Sequence, residues 1–181
     1  MQGRGTAPVL AGVTAVGLVL GLAGCEVRVP GLAASRVEPV AEPIADPRAG
    51  ADGFAVRLRV IVEDGATLVL VPLRVNGRGP FEFILDTGAS TSTVDRRLVG
   101  WLGLPRTGET ARVTGVTGSA VVPVVKLADW TLGGRPLRGR RLTVTDIGDD
   151  RVAGLLGSDE LRRFGAVTVD FRRQRLVLRA R

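Results

Sequence analysis

Short apolar runs separated by turn residues fill the chain from residue 55 to residue 181. Residues 55–63 alternate between apolar and mainly charged positions, as expected for a half-buried strand, and residues 67–75 form a second apolar run. Asn76-Gly77 comes next and is a strong signal for a tight hairpin turn into a third run, residues 81–85. This pattern predicts a β-rich domain built from short strands.

The rest of the domain continues the pattern and adds two short helical segments. Residues 93–102 place apolar side chains near one helical face. Residues 158–164 suit a second helix, with Ser158 as its N-cap and acidic residues in its first turn. We expect a small, mostly β, barrel-like domain with one or two short helices. Further strands are expected over 112–125, where Gly115-Val116-Thr117-Gly118 marks a hairpin, and over 130–132, 137–145, 166–171 and 175–178.

The first 25 residues have the pattern of an export signal. Residues 7–24 are apolar or small, contain no charge, and lead into Cys25 through Leu22-Ala23-Gly24. This ending resembles the lipobox of bacterial lipoproteins, which implies that Cys25 is lipidated after cleavage. The alternative is an uncleaved transmembrane anchor, because the eighteen residues 7–24 are just enough to span a bilayer. Both interpretations predict a membrane-attached protein on the extracytoplasmic face.

A proline-rich stretch separates this signal from the folded part. Residues 26–54 contain Pro30, Pro39, Pro43 and Pro47, and no helical or strand period is compatible with that spacing. We interpret the stretch as a tether that, at roughly 3 Å per residue, could extend on the order of 90 Å. The expected organisation is a signal segment over 1–25, a tether over 26–54 and a folded domain over 55–181.

Composition narrows the possible chemistry. The chain has no His, no Tyr and one Cys, which excludes Ser-His-Asp and Cys-His mechanisms and any His- or Cys-rich metal site. We therefore expect carboxylate chemistry without a metal or cofactor. The net charge of +7 could indicate nucleic-acid binding, attraction to an anionic membrane or a solvated basic surface. Arginine clusters at 138–141 and 172–175 lack interleaved aromatic residues, so we expect no nucleic acid.

One carboxylate stands in an unusual local setting. Asp86 follows the apolar run 81–85 directly, and Thr87, Gly88 and Ala89 come after it. Asp-Thr-Gly by itself often forms a surface turn, since Asp and Gly are common turn residues. A surface turn predicts polar neighbours, whereas apolar residues flank this one. The pattern favours a catalytic carboxylate over a structural turn.

With these segments in order, the chain resembles the retropepsin-like aspartic proteases, particularly the bacterial aspartyl protease families. Three blocks carry the resemblance, which covers nearly all of residues 55–181. They are Val71–Gly77 leading through Gly79-Pro80-Phe81 into Asp86-Thr87-Gly88-Ala89-Ser90; the glycine-bearing hairpin at 115–118, in the position of the family's flap; and Gly154-Leu155-Leu156-Gly157-Ser158-Asp159 followed by Val167–Phe171.

The resemblance implies a closed-barrel acid-protease fold and assigns roles to individual residues. Asp86, Thr87 and Gly88 would form the catalytic loop, with a second Asp86 supplied by another copy in a homodimer. The Thr87 hydroxyl would support this loop by a hydrogen bond. Ala89 and Ser90 of the loop, and Gly115, Val116, Thr117 and Gly118 of the flap, would contact substrate, while Leu155, Leu156 and Gly157 would pack beneath the loop. Retroviral relatives brace this site with an ion pair, but Ser90 and Ser158 occupy those places here.

The hypothesis that follows is a membrane-anchored endopeptidase that hydrolyses peptide bonds through paired Asp86 carboxylates. A rival hypothesis is a catalytically silent peptide-binding or scaffold lipoprotein that retains the fold. A third is a domain that cleaves only itself or its tether, within residues 26–54. A partner protein, rather than a second copy, could also complete the site.

Overall fold

The computed structural model describes residues 53–63, 65–115 and 118–179. The expected signal segment with Cys25, the tether up to residue 52, Val116 and Thr117 lie outside the described residues. Within the described part, no helix is long and apolar enough to cross a bilayer. The elements there are β1 (Gly53–Arg57), β2 (Arg59–Glu63), β3 (Ala66–Val75), β4 (Arg78–Leu85), β5 (Thr93–Asp95), α1 (Arg96–Leu102), β6 (Arg106–Gly115), β7 (Gly118–Lys126), β8 (Trp130–Leu132), β9 (Arg135–Pro136), β10 (Arg141–Thr145), β11 (Gly154–Leu156), α2 (Ser158–Leu161), β12 (Ala166–Asp170) and β13 (Arg175–Arg179).

The strands form two sheets, which confirms a mostly β domain with two short helices. The smaller sheet has the order β1-β13-β12, and the larger one has the order β6-β7-β10-β5-β11-β4-β3-β8-β9, with β2 also paired to β3. The expectation of a closed barrel is wrong, because the end strands β6 and β9 of the larger sheet do not pair. None of β6's residues 106–114 is buried, and β9 is two exposed residues including Pro136, which has no N–H for a ladder. Neither end offers an apolar face on which the sheet could close.

β3 and β4 form a hairpin within the larger sheet, and the hairpin itself was predicted from the sequence. Asn76 and Gly77 both have positive φ, 50° and 70°, which matches the right-handed twist of the strands they join. Because side chains alternate across a strand, one face of the hairpin points into the core. Val71, Leu73, Phe81 and Phe83 lie there and are fully buried.

The alternating run 55–63 forms two strands rather than one. β1 pairs with β13 in the smaller sheet, while β2 pairs with β3 in the larger sheet. The change occurs at Leu58, which is 2% exposed and whose N–H donates to the Gln174 carbonyl at 2.8 Å. Burial of Leu58 therefore sets the point at which the run divides into β1 and β2. β1 begins at Gly53, two residues before the expected domain start.

The first helix is shorter than the sequence predicted. Residues 93–95 form β5, between β10 and β11, because their backbone groups pair with both strands. The helix begins at Arg96, and the fully buried Asp95 is its N-cap, accepting from the Arg97 N–H at 2.8 Å. It ends at Gly103, which has φ 61°, a conformation that favours glycine.

The second helix, α2, also differs from expectation. It ends at Leu161 instead of residue 164, and Gly157 rather than Ser158 is its N-cap. The Ser158 hydroxyl donates instead to the Ala89 carbonyl at 2.9 Å. Tertiary contact therefore replaces the local cap that the sequence suggested.

Strand β11 is enclosed by a paired strand on each side. It lies parallel to β4 and antiparallel to β5, with Gly154 beside Phe83 and Val94. A Cβ at Gly154 would overlap the Phe83 ring and the Thr93 carbonyl. A side chain there would force these strands apart. Glycine is thus required for β11 to insert between β4 and β5.

Glu82 of β4 is a buried carboxylate within this assembly. It is 5% exposed, and no hydrogen bond reaches its Oε2 from the described residues. Burial raises the pKa of Glu82 above its ordinary value, although the positive charge of Arg59 opposes the change. In the folded state, the Glu82 carboxyl group therefore stays protonated at pH values where it has already lost its proton in the unfolded chain.

We expect Glu82→Gln to stabilise the protein more at pH 7 than at pH 4. In the wild type, stability falls as pH rises from the ordinary glutamate value of 4.5 through the raised folded pKa, and an uncharged side chain avoids that loss. Urea denaturation at both pH values measures the difference. Glu109→Gln, at an exposed position, is the control and should show little pH-dependent gain. An equal effect of Glu82→Gln at both pH values would contradict this account.

Candidate active site

Asp86 lies where β4 and β11 end side by side. Leu85 and Leu156 are register partners at the carboxyl ends of these parallel strands. The Asp86 N–H then donates to the Leu156 carbonyl at 3.0 Å, which extends the ladder by one residue. β4 and β11 of the larger sheet therefore fix the position at which the Asp86 loop begins.

The loop after β4 folds around the Asp86 carboxylate. Asp86 Oδ1 accepts hydrogen bonds from the Gly88 N–H at 2.8 Å and the Ala89 N–H at 3.1 Å. Asp86 Oδ2 accepts none from the described residues. The side chain is half-buried, so one oxygen is held by the backbone and the other remains available to a further donor.

Ala89 anchors the middle of this loop to the start of α2. The Ala89 side chain is 5% exposed, and its carbonyl accepts from the Ser158 N–H at 2.8 Å and the Ser158 hydroxyl at 2.9 Å. A Cβ at Gly157 would lie 2.9 Å from both the Ala89 oxygen and the Thr91 carbonyl carbon. Only glycine allows the two segments to approach this closely. Leu155 and Leu156, also buried, precede it in β11.

Ser92 connects the end of the loop to the same segment, a contact that the sequence interpretation did not foresee. Its hydroxyl donates to Asp159 Oδ1 at 2.7 Å and accepts from the Gly157 N–H at 2.9 Å. Ser92 is fully buried. The residues around Ser92 are small and polar and give no sign of this role. Its partners Gly157 and Asp159 lie 65 and 67 residues further along the chain.

Thr87, Gly88 and Ser90 lie on the exposed side of the loop. The expected loop-supporting hydrogen bond from the Thr87 hydroxyl does not occur within the described residues of one copy; Ser92 and Ser158 supply the side-chain contacts instead. Ser90 forms no ion pair, as its residue type requires. The loop therefore has an anchored inner side and an accessible outer side.

The expected flap is a hairpin formed by β6 and β7. Gly115 and Gly118 are register partners at its end, and Thr114 and Ser119 share a hydroxyl–hydroxyl hydrogen bond of 2.9 Å just before it. No hydrogen bond joins this part of the hairpin to the Asp86 loop among the residues with described positions. The structure thus brings together Asp86, Gly88, Ala89 and Leu156 through direct polar contacts. Gly157 joins the loop through Ser92, and the flap glycines do not join it.

Comparison with protein families matches the stretch that builds this site. Residues 71–159 match the model of a family described as aspartyl protease, and this stretch runs from β3 to α2. It contains the Asp86 loop, both flap strands and the Leu155-Leu156-Gly157 segment. The match therefore supports an aspartic protease assignment for the part of the chain that carries the carboxylate.

The chain is also similar to a solved structure of a retropepsin-like aspartic protease from Rickettsia conorii. The two are 17% identical, and the similarity covers 78% of this chain and 98% of that chain with a TM-score of 0.49. A comparison with curated proteins gives no match.

We expect Ser92→Ala to destabilise the protein by about 1–3 kcal/mol, because it leaves the buried Gly157 N–H without its acceptor. The measurement is the free energy of unfolding from urea denaturation. Ser119→Ala removes a hydroxyl from an exposed hydrogen bond and should change stability by less than about 0.5 kcal/mol. If both variants behaved alike, Ser92 would not be an anchor of the loop.

Proposed function

We propose that the chain is an aspartic endopeptidase in which Asp86 acts together with Asp86 of a second copy. The observation that carries the proposal is a half-buried carboxylate held by the Gly88 and Ala89 N–H groups, inside the stretch that matches the aspartyl protease family. The backbone fixes one oxygen of the carboxylate, and its other oxygen can engage a water molecule or a second carboxyl group.

Carboxylate-based peptide hydrolysis requires two such groups sharing one proton around a water molecule. The ionised group takes a proton from water as the water oxygen attacks the peptide carbonyl carbon, and the protonated group donates to the carbonyl oxygen. When the resulting tetrahedral intermediate collapses and the C–N bond breaks, the carboxyl group that took the proton from water gives it to the departing amine. A hydroxyl group of the intermediate returns a proton to the other carboxylate, so the pair again shares one proton. Two carboxyl groups about 3 Å apart cannot both ionise, so the pair titrates as a unit.

Two other acids in the segments around Asp86 are already engaged. Asp159 accepts from Ser92, and Asp95 accepts from Arg97 and from the Ile147 N–H. Within the described residues, none exchanges a hydrogen bond with Asp86. A symmetric pair across a two-fold axis is the economical source of the second carboxylate.

The exposed side of the loop supports access to the site. Thr87, Gly88 and Ser90 are exposed, so substrate and a second copy can approach the carboxylate from that side. The β6–β7 hairpin would close over bound peptide and exclude water, with glycines at both ends of its turn allowing the movement. The expected lipid anchor at Cys25 would concentrate copies on the extracytoplasmic face of the membrane and favour their pairing.

We expect Asp86→Asn to abolish peptide cleavage, with a fall of at least about a thousandfold, because an amide cannot take a proton from water. The measurement is cleavage of a peptide library between pH 3 and pH 7. Asp146→Asn, at an exposed carboxylate that accepts from the Gly148 N–H, should leave cleavage unchanged. A wild-type chain that cleaves nothing across this range would favour a silent peptide-binding scaffold.

A mixing experiment tests the shared site. After equilibration of equal amounts of wild type and Asp86→Asn, about one quarter of random dimers contain two wild-type copies. We therefore expect activity near one quarter of that of wild type at the same total concentration. A site complete within one copy would retain about one half.

A further inference from the structure

Five arginines line a cavity that shares no lining residue with the Asp86 loop. Its volume is about 1080 Å³. Two short segments form its walls: the stretch from β9 to β10, and the residues that follow α2. The positively charged residues are Arg135, Arg138, Arg140, Arg162 and Arg163. We call this cavity the arginine groove.

The single acidic residue that lines the groove does not neutralise it. Glu160 is 1% exposed, and its carboxylate accepts from the Arg138 and Gly139 N–H groups at 2.9 and 2.6 Å. It also forms an ion pair with Arg163 at 3.2 Å. Glu160 therefore fixes the loop that carries the arginines, and the groove retains a large excess of positive charge.

The remaining guanidinium groups have few acidic partners. Arg138 and Arg162 form no ion pair with a carboxylate of the described residues, and Arg140 donates to the Ala128 carbonyl. Floor and rim include Leu137, which is buried, and Phe164, which is half-buried. A ligand with carboxylates spaced along an apolar backbone matches this lining in charge and in polarity.

The groove lies where the tether enters the domain. Phe54, the second residue of β1, packs edge-on against Phe164 with ring centroids 5.9 Å apart. The Arg135 guanidinium lies over the Phe54 ring at 4.8 Å from its centroid. Both Phe164 and Arg135 line the groove, so the chain reaches its rim at residue 54.

The sequence just before residue 54 has the complementary charge. Glu38, Glu42 and Asp46 recur every four residues, each is followed by proline, and residues 37–47 contain no basic side chain. Asp46 is eight residues from Phe54, a separation that spans at most about 28 Å when extended. The acidic side chains therefore have enough chain to reach the groove next to Phe54.

We propose that the acidic, proline-spaced segment 37–47 of the chain binds in its own arginine groove. The proposal combines charge complementarity, the position of Phe54 at the groove rim, and the short connection between them. Binding draws the tether onto the domain and shortens its reach from the membrane. The groove is a surface separate from the Asp86 loop, and binding there can be measured without proteolysis.

The test uses the full-length chain in neutral detergent micelles, with Asp86→Asn so that no cleavage can remove the segment. A fluorescent peptide of residues 37–47 is titrated into a chain carrying Glu38→Gln, Glu42→Gln and Asp46→Asn, and anisotropy reports binding. We expect saturable binding that weakens with added salt. A peptide with its three acids replaced by amides should bind at least about fivefold more weakly.

Charge-matched variants locate the site. Arg138→Gln with Arg162→Gln should weaken peptide binding about fivefold, whereas Arg106→Gln with Arg172→Gln, at exposed positions outside the groove, should not.

The chain that keeps its native acids should bind the peptide several-fold more weakly than the neutralised chain, because its own segment competes at high effective concentration. Equal binding to both chains would overturn the intramolecular contact. Binding of anionic vesicles or inositol phosphates, with none of the peptide, would instead assign the groove to an external anion and overturn the proposal.

Discussion

The candidate site depends on a set of hydrogen bonds that join residues 86–92 to residues 156–159. The Asp86 N–H meets the Leu156 carbonyl, the Ala89 carbonyl receives both donors of Ser158, and the Ser92 hydroxyl connects Asp159 with the Gly157 N–H. These bonds are largely buried, where losing one partner is costly. They hold the Asp86 loop in place through backbone groups and the hydroxyls of Ser92 and Ser158, with the Asp159 carboxylate as the one charged partner in the set.

These hydrogen bonds form only because the two segments pack closely together. Gly154 lets β11 insert between β4 and β5, and Gly157 lets the loop approach α2. Two glycines three residues apart therefore bring together segments that are far apart in sequence. Because protein interiors are close-packed, a methyl group at either position would displace the backbone that presents Asp86.

The many arginines serve two different purposes in the structure. Arg151 forms ion pairs with Glu63 and Asp149, and its hydrogen bonds to the Glu63 carboxylate lower the pKa of Glu63. Burial alone would raise the pKa of Asp149, but hydrogen bonds from Arg151 lower it instead. Arg151 thus fixes loops, whereas Arg138 and Arg162 of the groove form no ion pair with a carboxylate of the described residues. Net charge alone does not separate the two groups, because the distinction depends on which acids the fold places beside each guanidinium.

Local pattern was enough to predict much of this protein. The alternating strands, the Asn76-Gly77 hairpin, the two helical regions and the special setting of Asp86 all follow from residue type and spacing, because each depends on neighbours within a few positions. The absence of histidine likewise leaves carboxylates as the first candidates for reactive groups. The pairing of β1 with β13 and the anchoring role of Ser92 depended on partners 65 or more residues away. The open edges of the larger sheet depended on end strands that do not meet. Only the tertiary structure decided them, since contacts between distant segments are set by packing of the whole domain and leave no periodic signal in the chain.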